Sequence, residues 1–357
     1  MSYPFSAANE ATYLTRVLGF LTDQKRQMGA MKAHSEECAR EISKGGFEVL
    51  LAANCSIFAS PFIGRYFSGP KVLYLQDPKR LYYEALGSLI WRAPDPFPER
   101  TPLRRKLIAK VRGEVSMRDA RKQVDEEYEN AAAFDEILVN SHFSREAILR
   151  SYGLDSRVCY LGIDSEMFGG AESPRGHYVI GLGAMHAPKR IEFVIDALAT
   201  IESNRPKLVW IGQMFDTEYL STLEERARAK GVECEFKIQV SDQELVQLLS
   251  GALAMVYAPR LEPFGFAPLE ANACGTPAVC VAEGGIRESI KHGVNGLLVD
   301  PSPSAMGAAV SYLAANPDVA RSLGQSALEH VRTEWTWDRS VDILEERLRV
   351  HSGGAHR

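Results

Sequence analysis

Short apolar runs alternate with amphipathic stretches along most of the chain. The runs hold successive Val, Ile and Leu positions with few polar residues between them, which is typical of parallel strands buried on both faces. Helical patterns lie between these runs, for example at 191–201, 218–231 and 242–252. This order predicts a doubly wound α/β fold. The predicted strands are residues 48–53, 71–76, 136–140, 157–162, 177–183, 207–212, 253–259 and 278–282.

The pattern breaks at GGAESPRGH, residues 169–177, where Gly, Ser, Pro and charged residues cluster without periodicity. We therefore predict two domains, each large enough to bury its own hydrophobic core. A closing helix and a disordered tail follow them. The predicted segments are a first domain over 1–170, a second over 171–335, the helix over 336–352 and the tail over 353–357.

Composition narrows the class of protein. The net charge of −5 gives no global indication of nucleic-acid binding, so no nucleic-acid partner is expected. The six cysteines form no CxxC motif and the N-terminus has no signal-peptide pattern, which predicts reduced thiols in a cytoplasmic protein. No apolar run approaches the length of about 18 residues that predicts a transmembrane helix.

One region, residues 87–122, differs from the rest. It begins with a loop over 87–102 that contains four prolines and continues as a predicted helix with an apolar stripe that includes Leu103 and Val111. Its other faces carry Lys and Arg, so it is either a solvated amphipathic helix or a basic patch that contacts an anionic membrane surface or a phosphate-bearing acceptor. These basic residues are Arg104, Arg105, Lys106, Lys110, Arg112 and Arg118.

The loop after the predicted strand 177–183 carries two cations beside a predicted helix. The strand ends in a glycine pattern with Gly183, but position 186, where a dinucleotide fingerprint needs a third glycine, is a histidine. A nicotinamide site is therefore disfavoured. Lys189 and Arg190 stand just before the helix, where they are suited to hold a phosphate group. Two solvated side chains are the alternative.

The stretch EPFGFAPLE, residues 262–270, joins a predicted strand to a predicted helix and places two glutamates around the turn. Gly265 allows a ligand to approach the backbone, and the first amides of the helix are available to an anion. Because ligands of open α/β sheets bind beyond the carboxyl ends of strands, Glu262 and Glu270 are predicted to contact two parts of one ligand. Alternatively, Glu262 caps the helix and Glu270 is an ordinary helical residue.

A third loop, AEGGIRES at 282–289, follows the next predicted strand. It contains the adjacent glycines Gly284 and Gly285, with Glu288 at the start of a helix. Three loops with glycine, charge or both at strand ends of one domain predict a pocket for a ligand with polyhydroxyl and anionic parts.

The stretch from 253 to 300 resembles family 4 of the retaining glycosyltransferases, through EPFGFAPLEANACGTPAV and GGIRESIKHGVNGLLVD. The core of that family's signature is a pair of glutamates separated by seven residues. The resemblance covers about residues 47 to 348 and implies the GT-B fold: two Rossmann-like doubly wound domains facing a cleft, with a C-terminal helix crossing back to the N-terminal domain. Further similarity lies at 136–153, 161–168, 189–198 and 335–348.

The resemblance also implies roles for individual residues. Glu262 would contact the sugar of a nucleotide-sugar donor near the reacting centre, and Glu270 would bind the ribose hydroxyls. Lys189 would neutralise the diphosphate, which is the leaving group. The other implied donor-site residues are Gly183, Arg190, Phe264, Gly265 and Phe266.

The implied activity is transfer of a hexosyl unit from a UDP- or GDP-sugar, with retention at the anomeric carbon. The acceptor is a glycan, a lipid-linked glycan or a small metabolite, and peripheral membrane contact through 87–122 is a possible accompaniment. Enzymes with this fold stabilise the leaving diphosphate with Lys, Arg and helix N-termini, and the chain has no Asp-x-Asp. We therefore expect no metal and no other cofactor, so turnover should persist in EDTA.

The chain departs from the family pattern at a few positions. Ala184 stands where the family places an arginine, so the second cation for the diphosphate would have to come from Arg190 or Arg260. Gln76 stands where many relatives have a histidine near the donor sugar. The N-terminal region lacks the family's first strand and Gly-Gly loop, and the glycine pair at 45–46 is predicted to end a helix.

Three hypotheses follow. The first is an active retaining glycosyltransferase. The second is a catalytically weak or inactive GT-B protein that binds a nucleotide sugar or supports a partner transferase, and it is motivated by Ala184 and by the missing first strand and Gly-Gly loop of the family. The third is an epimerase or phosphorylase of the same fold, for which the sequence shows no specific residues.

Overall fold

The computed structural model divides the chain into two α/β units. The first holds the described residues up to Leu138, then Ala147–Arg157 and the residues from Leu348 on, while the second holds Val139–Glu146 and Val158–Arg347. The described residues are 13–55, 57–84, 102–169, 174–213 and 217–353, with side chains described from residue 26 on except at 104, 105, 107–109 and 112.

The first unit contains a sheet with the strand order β1-β2-β3-β4, in which β1, β2 and β3 run parallel. Gln76, which follows the second of these strands, is exposed, and its backbone N–H donates to Asn54 Oδ1 at 2.9 Å. The elements are α1 (Tyr13–Lys44), β1 (Leu50–Ala53), α2 (Ile63–Tyr66), β2 (Lys71–Tyr74), α3 (Leu103–Ala132), β3 (Glu136–Val139), α4 (His142–Tyr152) and β4 (Arg157–Val158).

The second unit contains a six-stranded parallel sheet with helices between its strands. Its strands are β5 (Tyr178–Leu182), β6 (Lys207–Gly212), β7 (Cys234–Ile238), β8 (Ala254–Tyr257), β9 (Ala278–Val281) and β10 (Gly296–Val299). The helices are α5 (Ile191–Ala199), α6 (Thr217–Lys230), α7 (Asp242–Gly251), α8 (Phe266–Ala273), α9 (Ile286–Ser289), α10 (Pro303–Ala315), α11 (Pro317–Glu334) and α12 (Trp337–Ser352), whose last residues belong to the first unit.

The strand order of the second sheet is β10-β9-β8-β5-β6-β7. The chain first winds outward from β5 to β7 and then returns to the centre, where β8 pairs with β5. This is the Rossmann order, and the direction of winding reverses between β5 and β8. The loops that leave the carboxyl ends of these two strands therefore begin side by side.

The continuous apolar runs of the sequence are explained by burial on both faces of this sheet. Val179 and Trp210 belong to one hydrophobic core, while their chain neighbours Ile180 and Val209 belong to the other. Each such side chain contributes about 1.5–3 kcal/mol through its removal from water. The predicted parallel sheet between two helix layers is thus confirmed.

Trp210 also determines how β5 ends. Its ring lies so close to Gly181 that a Cβ there would come within 2.1 Å of the indole, so this position requires glycine. The indole Nε1 donates to the carbonyl oxygen of Gly183 at 2.9 Å, and the N–H of Gly183 donates to Ile211 O at 2.9 Å. The first residue of the following loop is therefore held firmly.

Two strands were not predicted, β7 and β10, and both lie at the edges of the sheet. The sequence of β7, CEFKI, alternates apolar and charged residues because one side of an edge strand meets solvent. Its charges pair across the surface: Lys237 Nζ lies 3.2 Å from Glu235 and 3.0 Å from Glu244. A search for continuous apolar runs misses such a strand.

A helix precedes the glycine pair at 45–46, as the sequence predicted. Helix α1 ends at Lys44, and Gly46 follows with φ of +66°, a conformation that glycine adopts without strain. The helix predicted after residue 102 is also present as α3. Its apolar stripe is not buried at Leu103 or Val111, which are 85% and 50% exposed. The predicted loop 87–102 lies, up to residue 101, outside the described residues.

In the described part of the chain, no helix combines the length and apolar character needed to cross a membrane. No disulfide joins the six cysteines. Within the same described ranges, His, Cys, Asp and Glu side chains form no group of three or more arranged to hold a metal ion.

Candidate functional site

The candidate site lies in the second unit, at the carboxyl ends of β5 and β8. The loop after β5 runs from Gly183 to Arg190, and the loop after β8 runs from Ala258 to Gly265. Because the winding direction reverses between these strands, a crevice outside their carboxyl ends is the expected ligand position of such a sheet. The loops predicted from the sequence are therefore neighbours.

Lys189 and Glu262 form an ion pair in this crevice. Lys189 Nζ donates to Glu262 Oε2 at 2.9 Å, and each side chain is 21% exposed. Nζ also lies 3.3 Å from the hydroxyl of Tyr257, the last residue of β8. The sequence predicted separate roles for the two charges, and the structure brings them into direct contact although 73 positions separate them in the chain.

Tyr257 was not predicted as a site residue. Its side chain is 2% exposed, and burial, followed by the charge of Glu262, raises its pKa well above the usual value. The charge of Glu270 contributes to the same shift, so both carboxylates lie within electrostatic range of this hydroxyl. The sequence signal that could have identified Tyr257 was its position as a tyrosine at the end of an otherwise apolar strand.

Glu270 lies in α8, one helical turn before its end, and is partly buried. Burial raises the pKa of its carboxyl to about 7. Because this pKa is close to neutral pH, hydrogen-bond donors shift the carboxyl toward its charged form. The predicted position of Glu270, inside a helix that begins at the turn, is confirmed.

The turn before α8 needs glycine at one position. Gly265 has φ of +88°, and a Cβ there would lie 3.2 Å from Ile286 Cγ1. Since α8 begins directly after it, the first amides of the helix have no acceptor inside the helix and carry the positive end of its dipole. This backbone is suited to an anion close to Lys189.

The phenylalanines of the turn differ in their surroundings. Phe264 is 3% exposed and packs edge-on against the rings of Phe266 and Trp335, with centroid distances of 5.1 and 5.5 Å. Phe266 is 37% exposed. The side chain of Phe264 therefore fixes the turn and is not accessible to a ligand.

Arg190 adopts the left-handed conformation, with φ of +53°, directly before α5. Its guanidinium lies over the ring of Phe193 at 4.4 Å. Nη1 lies 3.9 Å from Glu283 Oε2, and among the described residues neither of these buried atoms has a hydrogen-bond partner. Burial lowers the pKa of Arg190, and the charge of Arg260 lowers it further. Two opposite charges are thus held close without a bond between them.

His186 lies in the same loop. Burial lowers the pKa of its imidazole, and the charge of Lys189 lowers it further, although Glu262 acts in the opposite direction. The ring is therefore neutral at pH 7.

The glycine pair of the third loop serves a different purpose from the predicted one. A Cβ at Gly284 would lie 2.4 Å from the carbonyl oxygen of Glu262, and one at Gly285 would lie 2.0 Å from that of Pro263. The N–H of Gly285 donates to Glu262 O at 2.8 Å. The space that a side chain would take at either glycine is filled by the turn that carries Glu262, so both glycines allow this turn to pack closely against the third loop.

Glu288 also has a structural role instead of the predicted place in the pocket. Its carboxylate accepts hydrogen bonds from the backbone N–H groups of His142 and Phe143, at 2.8 and 2.9 Å, and from the hydroxyl of Tyr160 at 2.9 Å. It therefore caps the first turn of α4. Nearby, Ser141 Oγ donates to Pro263 O at 2.6 Å and supports the same turn. In the sequence, the family resemblance at 136–153 was the signal that could have pointed to Ser141 and the start of α4.

Residues 163–330 match the family model described as Glycosyl transferases group 1. Mannosylfructose-phosphate synthase of Agrobacterium fabrum is 32% identical over 135 residues, which are 35% of this chain and 30% of that protein. A D-inositol 3-phosphate glycosyltransferase of Acidothermus cellulolyticus is 25% identical over 282 residues, or 72% of this chain and 62% of that protein. The chain thus spans less than two thirds of the length of either relative.

Solved structures share the fold. Sucrose-phosphate synthase of Thermosynechococcus elongatus superposes with a TM-score of 0.71 at 18% identity, over 92% of this chain and 80% of that one. HepE of Anabaena, in complex with UDP and glucose, gives 0.59 at 20% identity, over 81% and 73%. The chain therefore has the architecture of GT-B glycosyltransferases, two Rossmann-like parallel-sheet units with a helical C-terminus, and its residues 163–330 carry the match to the group 1 glycosyl transferases.

Proposed function

We propose that this protein is a retaining glycosyltransferase that uses a nucleoside diphosphate sugar, with UDP or GDP as the nucleotide. The observation that carries the proposal is the ion pair between Lys189 and Glu262, next to the first amides of α8 at the switch point of the sheet. A phosphate-binding cation, a helix N-terminus and a carboxylate that can bind hydroxyls are the groups that a sugar diphosphate requires.

In this proposal the donor spans the crevice from Glu270 to Glu262. The carboxylate of Glu270 accepts hydrogen bonds from the ribose hydroxyls, and Lys189 with the first amides of α8 holds the diphosphate. Glu262 contacts the sugar near the anomeric carbon. Lys189 and Glu262 are paired at 2.9 Å, so in this proposal the diphosphate competes with Glu262 for the lysine.

The reaction breaks the bond between the anomeric carbon and the diphosphate oxygen and forms a bond to the acceptor oxygen on the same face, while the proton of the acceptor hydroxyl passes to the departing diphosphate. The electron pair leaves with the diphosphate, where Lys189 and the helix amides stabilise the growing negative charge. The anomeric carbon develops oxocarbenium character, which the nearby carboxylate of Glu262 stabilises. These charges are supplied by the chain, so we propose that transfer needs no metal.

A screen of UDP, GDP, ADP and dTDP sugars by thermal shift tests the proposal. Because a ligand that binds only the folded state stabilises it, at least one sugar nucleotide should raise the melting temperature in a concentration-dependent manner. No shift with any of them would contradict the donor site. The relatives include a mannosylfructose-phosphate synthase and a D-inositol 3-phosphate glycosyltransferase, two different activities, so the acceptor is proposed only as a glycan, a lipid-linked glycan or a small metabolite.

A second candidate function is favoured by Ala184, which stands in place of the arginine expected from the family resemblance. A protein that binds the donor without transfer, and that supports a partner transferase, would keep the thermal shift and show no turnover. We favour the active enzyme because Arg190 lies in the same loop with a buried, unbonded N–H group.

We expect Arg190 to supply the missing cation. A left-handed residue other than glycine costs about 1–2 kcal/mol, so its position is held by Phe193 and Glu283 against that cost. Replacing Arg190 by alanine should weaken donor binding roughly ten- to a hundred-fold, measured by isothermal titration calorimetry. Adding Ala184→Arg should recover most of that loss, whereas the uncharged Ala184→Gln should not. Unchanged affinity in Arg190→Ala would show that the diphosphate is held without it.

Donor binding should depend on pH through Glu270, whose pKa burial raises to about 7. Only the ionised carboxylate accepts two ribose hydroxyls, so the affinity for a sugar nucleotide should fall about tenfold per pH unit below 7 and level off above it. Titration between pH 5.5 and 8.5 measures this. In Glu270→Gln, affinity should be lower and flat with pH, and an equal pH dependence in that variant would contradict the assignment.

The same raised pKa predicts an effect on stability. A carboxyl whose pKa is higher in the folded protein than in the unfolded chain stabilises the fold fully below the unfolded value, about 4.3, and loses this effect as pH rises through about 7. The melting temperature of the ligand-free protein should therefore fall over this window relative to Glu270→Gln.

The predicted membrane contact through 87–122 remains a proposal, as does the cytoplasmic location. Flotation with anionic vesicles at low salt tests the contact, and absence of binding would remove it.

A further inference from the structure

A second cavity lies in the second unit, on the side of α9 that faces α11 and α12. Its volume is about 180 Å³, which corresponds to roughly six water molecules. The cavity is lined by charged and aromatic side chains that the proposed transfer does not use, among them Tyr160, Lys291, His330, Glu334, Trp335 and Arg339.

The walls of this cavity are bonded to one another. The hydroxyl of Ser340 donates to the carbonyl oxygen of Tyr160, and the N–H of Ile163 donates to Trp335 O at 2.8 Å. The rings of Tyr160 and Trp335 meet edge-on, with a centroid distance of 5.2 Å. A cavity with such walls keeps its shape without a ligand, which reduces the ordering cost of binding.

His330 is buried and lines this cavity. Its Nε2 accepts a hydrogen bond from the indole N–H of Trp335 at 3.3 Å, so the proton of the neutral ring is on Nδ1. Burial lowers the pKa of His330, and the charge of Lys291 lowers it further, with Glu334 acting in the opposite direction. The ring is therefore neutral at pH 7 and offers one N–H.

Some of the charged side chains around the cavity already have bonding partners, and one does not. Glu288 is occupied by the two backbone N–H groups of α4 and the Tyr160 hydroxyl, and Glu334 is paired with Arg339 at 2.8 Å. Lys291 is a solvent-exposed residue at the edge of the cavity, and among the described residues no carboxylate lies within ion-pair distance of its ammonium. An uncommitted ammonium and a neutral N–H donor remain, and both suit an anion.

We propose that this cavity is a binding site for a small organic monoanion, a carboxylate with hydroxyl groups. Lys291 and His330 bind the carboxylate, and the aromatic walls cover its carbon atoms. Because Glu288 and Glu334 also line the cavity, their negative charges repel a dianion such as phosphate more strongly than a monoanion, and Glu334 can accept a hydrogen bond from a ligand hydroxyl. The site does not depend on the proposed transferase activity.

A single aromatic contact connects this cavity to the turn that carries Glu262. Trp335, a wall of the cavity, packs against Phe264 at 5.5 Å. A ligand against this indole therefore changes the environment of a ring that can be observed directly. The chain has four tryptophans, so ¹⁹F NMR of protein labelled with 5-fluorotryptophan gives a small set of resonances.

Titration of the labelled protein with glycerate, at constant ionic strength against NaCl, tests the proposal. The resonance lost in Trp335→Phe identifies Trp335, and it should shift saturably, while the resonance of the fully buried Trp210 should not move. Lys291→Met should weaken binding roughly ten- to a hundred-fold, whereas Lys230→Met, another lysine of the same unit, should not. A shift no larger than with NaCl would overturn the site, and tighter binding of inorganic phosphate would overturn the assignment to a monoanion.

Discussion

Replacing Glu262 by glutamine should reduce sugar transfer by a factor of about 10² to 10³ or more, with little change in the fold. Glutamine keeps the shape of the side chain and an oxygen that can accept from Lys189, which lies 2.9 Å away. It removes the negative charge that faces the anomeric carbon as positive charge develops there, and a lost transition-state contact of this kind costs about 2.7–4 kcal/mol. Steady-state turnover of the donor that gives the thermal shift measures the effect.

The variant should lose turnover without losing the donor. The ribose and diphosphate contacts remain, so the thermal shift with the nucleotide should stay within a few-fold of the natural protein's midpoint concentration. Glu244→Gln is the matched control, because this surface glutamate pairs with Lys237 away from the crevice. Turnover of Glu262→Gln within twofold of the natural protein would remove Glu262 from the reacting centre.

Replacing Lys189 by methionine should lower kcat/KM for the donor at least ten- to a hundred-fold. The lysine is the cation placed at the diphosphate in this proposal, and loss of one charge-assisted contact costs about 1.5–3 kcal/mol. Part of the loss should appear in kcat, since the charge on the diphosphate grows as the bond to the sugar breaks. Measuring kcat and KM separately distinguishes this role from simple donor binding.

The substitution also leaves the partly buried Glu262 without its cation, so the melting temperature should fall. Lys189→Arg separates the two effects because it restores the charge but not the shape of the ammonium. Lys189→Arg should therefore restore more of the lost melting temperature than of the lost turnover. If Lys189→Met changes stability alone and leaves kcat/KM intact, the lysine is a structural partner of Glu262 and not a ligand of the diphosphate.

The fold was predictable wherever burial leaves a direct trace in the sequence. Strands such as 207–212 are covered on both faces and therefore read as continuous apolar runs. The edge strand β7 was missed because charged residues interrupt its apolar positions, whereas β10, with the sequence GLLV, is a short apolar run that the sequence analysis did not assign to a strand. The long α1 was anticipated only through the glycines that end it, of which Gly46 has the expected positive φ.

The site was predictable as a set of loops but not as a set of contacts. The reversal of winding between β5 and β8 places Lys189 against Glu262, and no local pattern contains that information. Likewise, Gly284 shows only that something comes close to the backbone. The structure identifies this neighbour as Glu262, which belongs to the chain itself and not to a ligand.

The partners of the charged side chains were the least predictable feature of the site. Ala184 marked a missing cation in the sequence, but the buried gap between Arg190 and Glu283 depends on how two loops pack. Glu288 belongs to the third loop predicted around the pocket, and its carboxylate caps α4, whose first residues come about 146 positions earlier in the chain. Sequence spacing gives the residue types near a site, while their pairing is decided by tertiary packing.

The most direct test of the proposed transfer is release of nucleoside diphosphate from a panel of UDP, GDP, ADP and dTDP sugars, measured in EDTA. The natural protein and Glu262→Gln are compared at equal concentration, with water and simple sugars as acceptors. We predict that at least one donor is turned over by the natural protein despite the chelator, and that the variant releases at least a hundredfold less. No turnover of any donor, turnover that requires added metal, or equal release by both proteins would contradict a metal-independent transfer at Glu262.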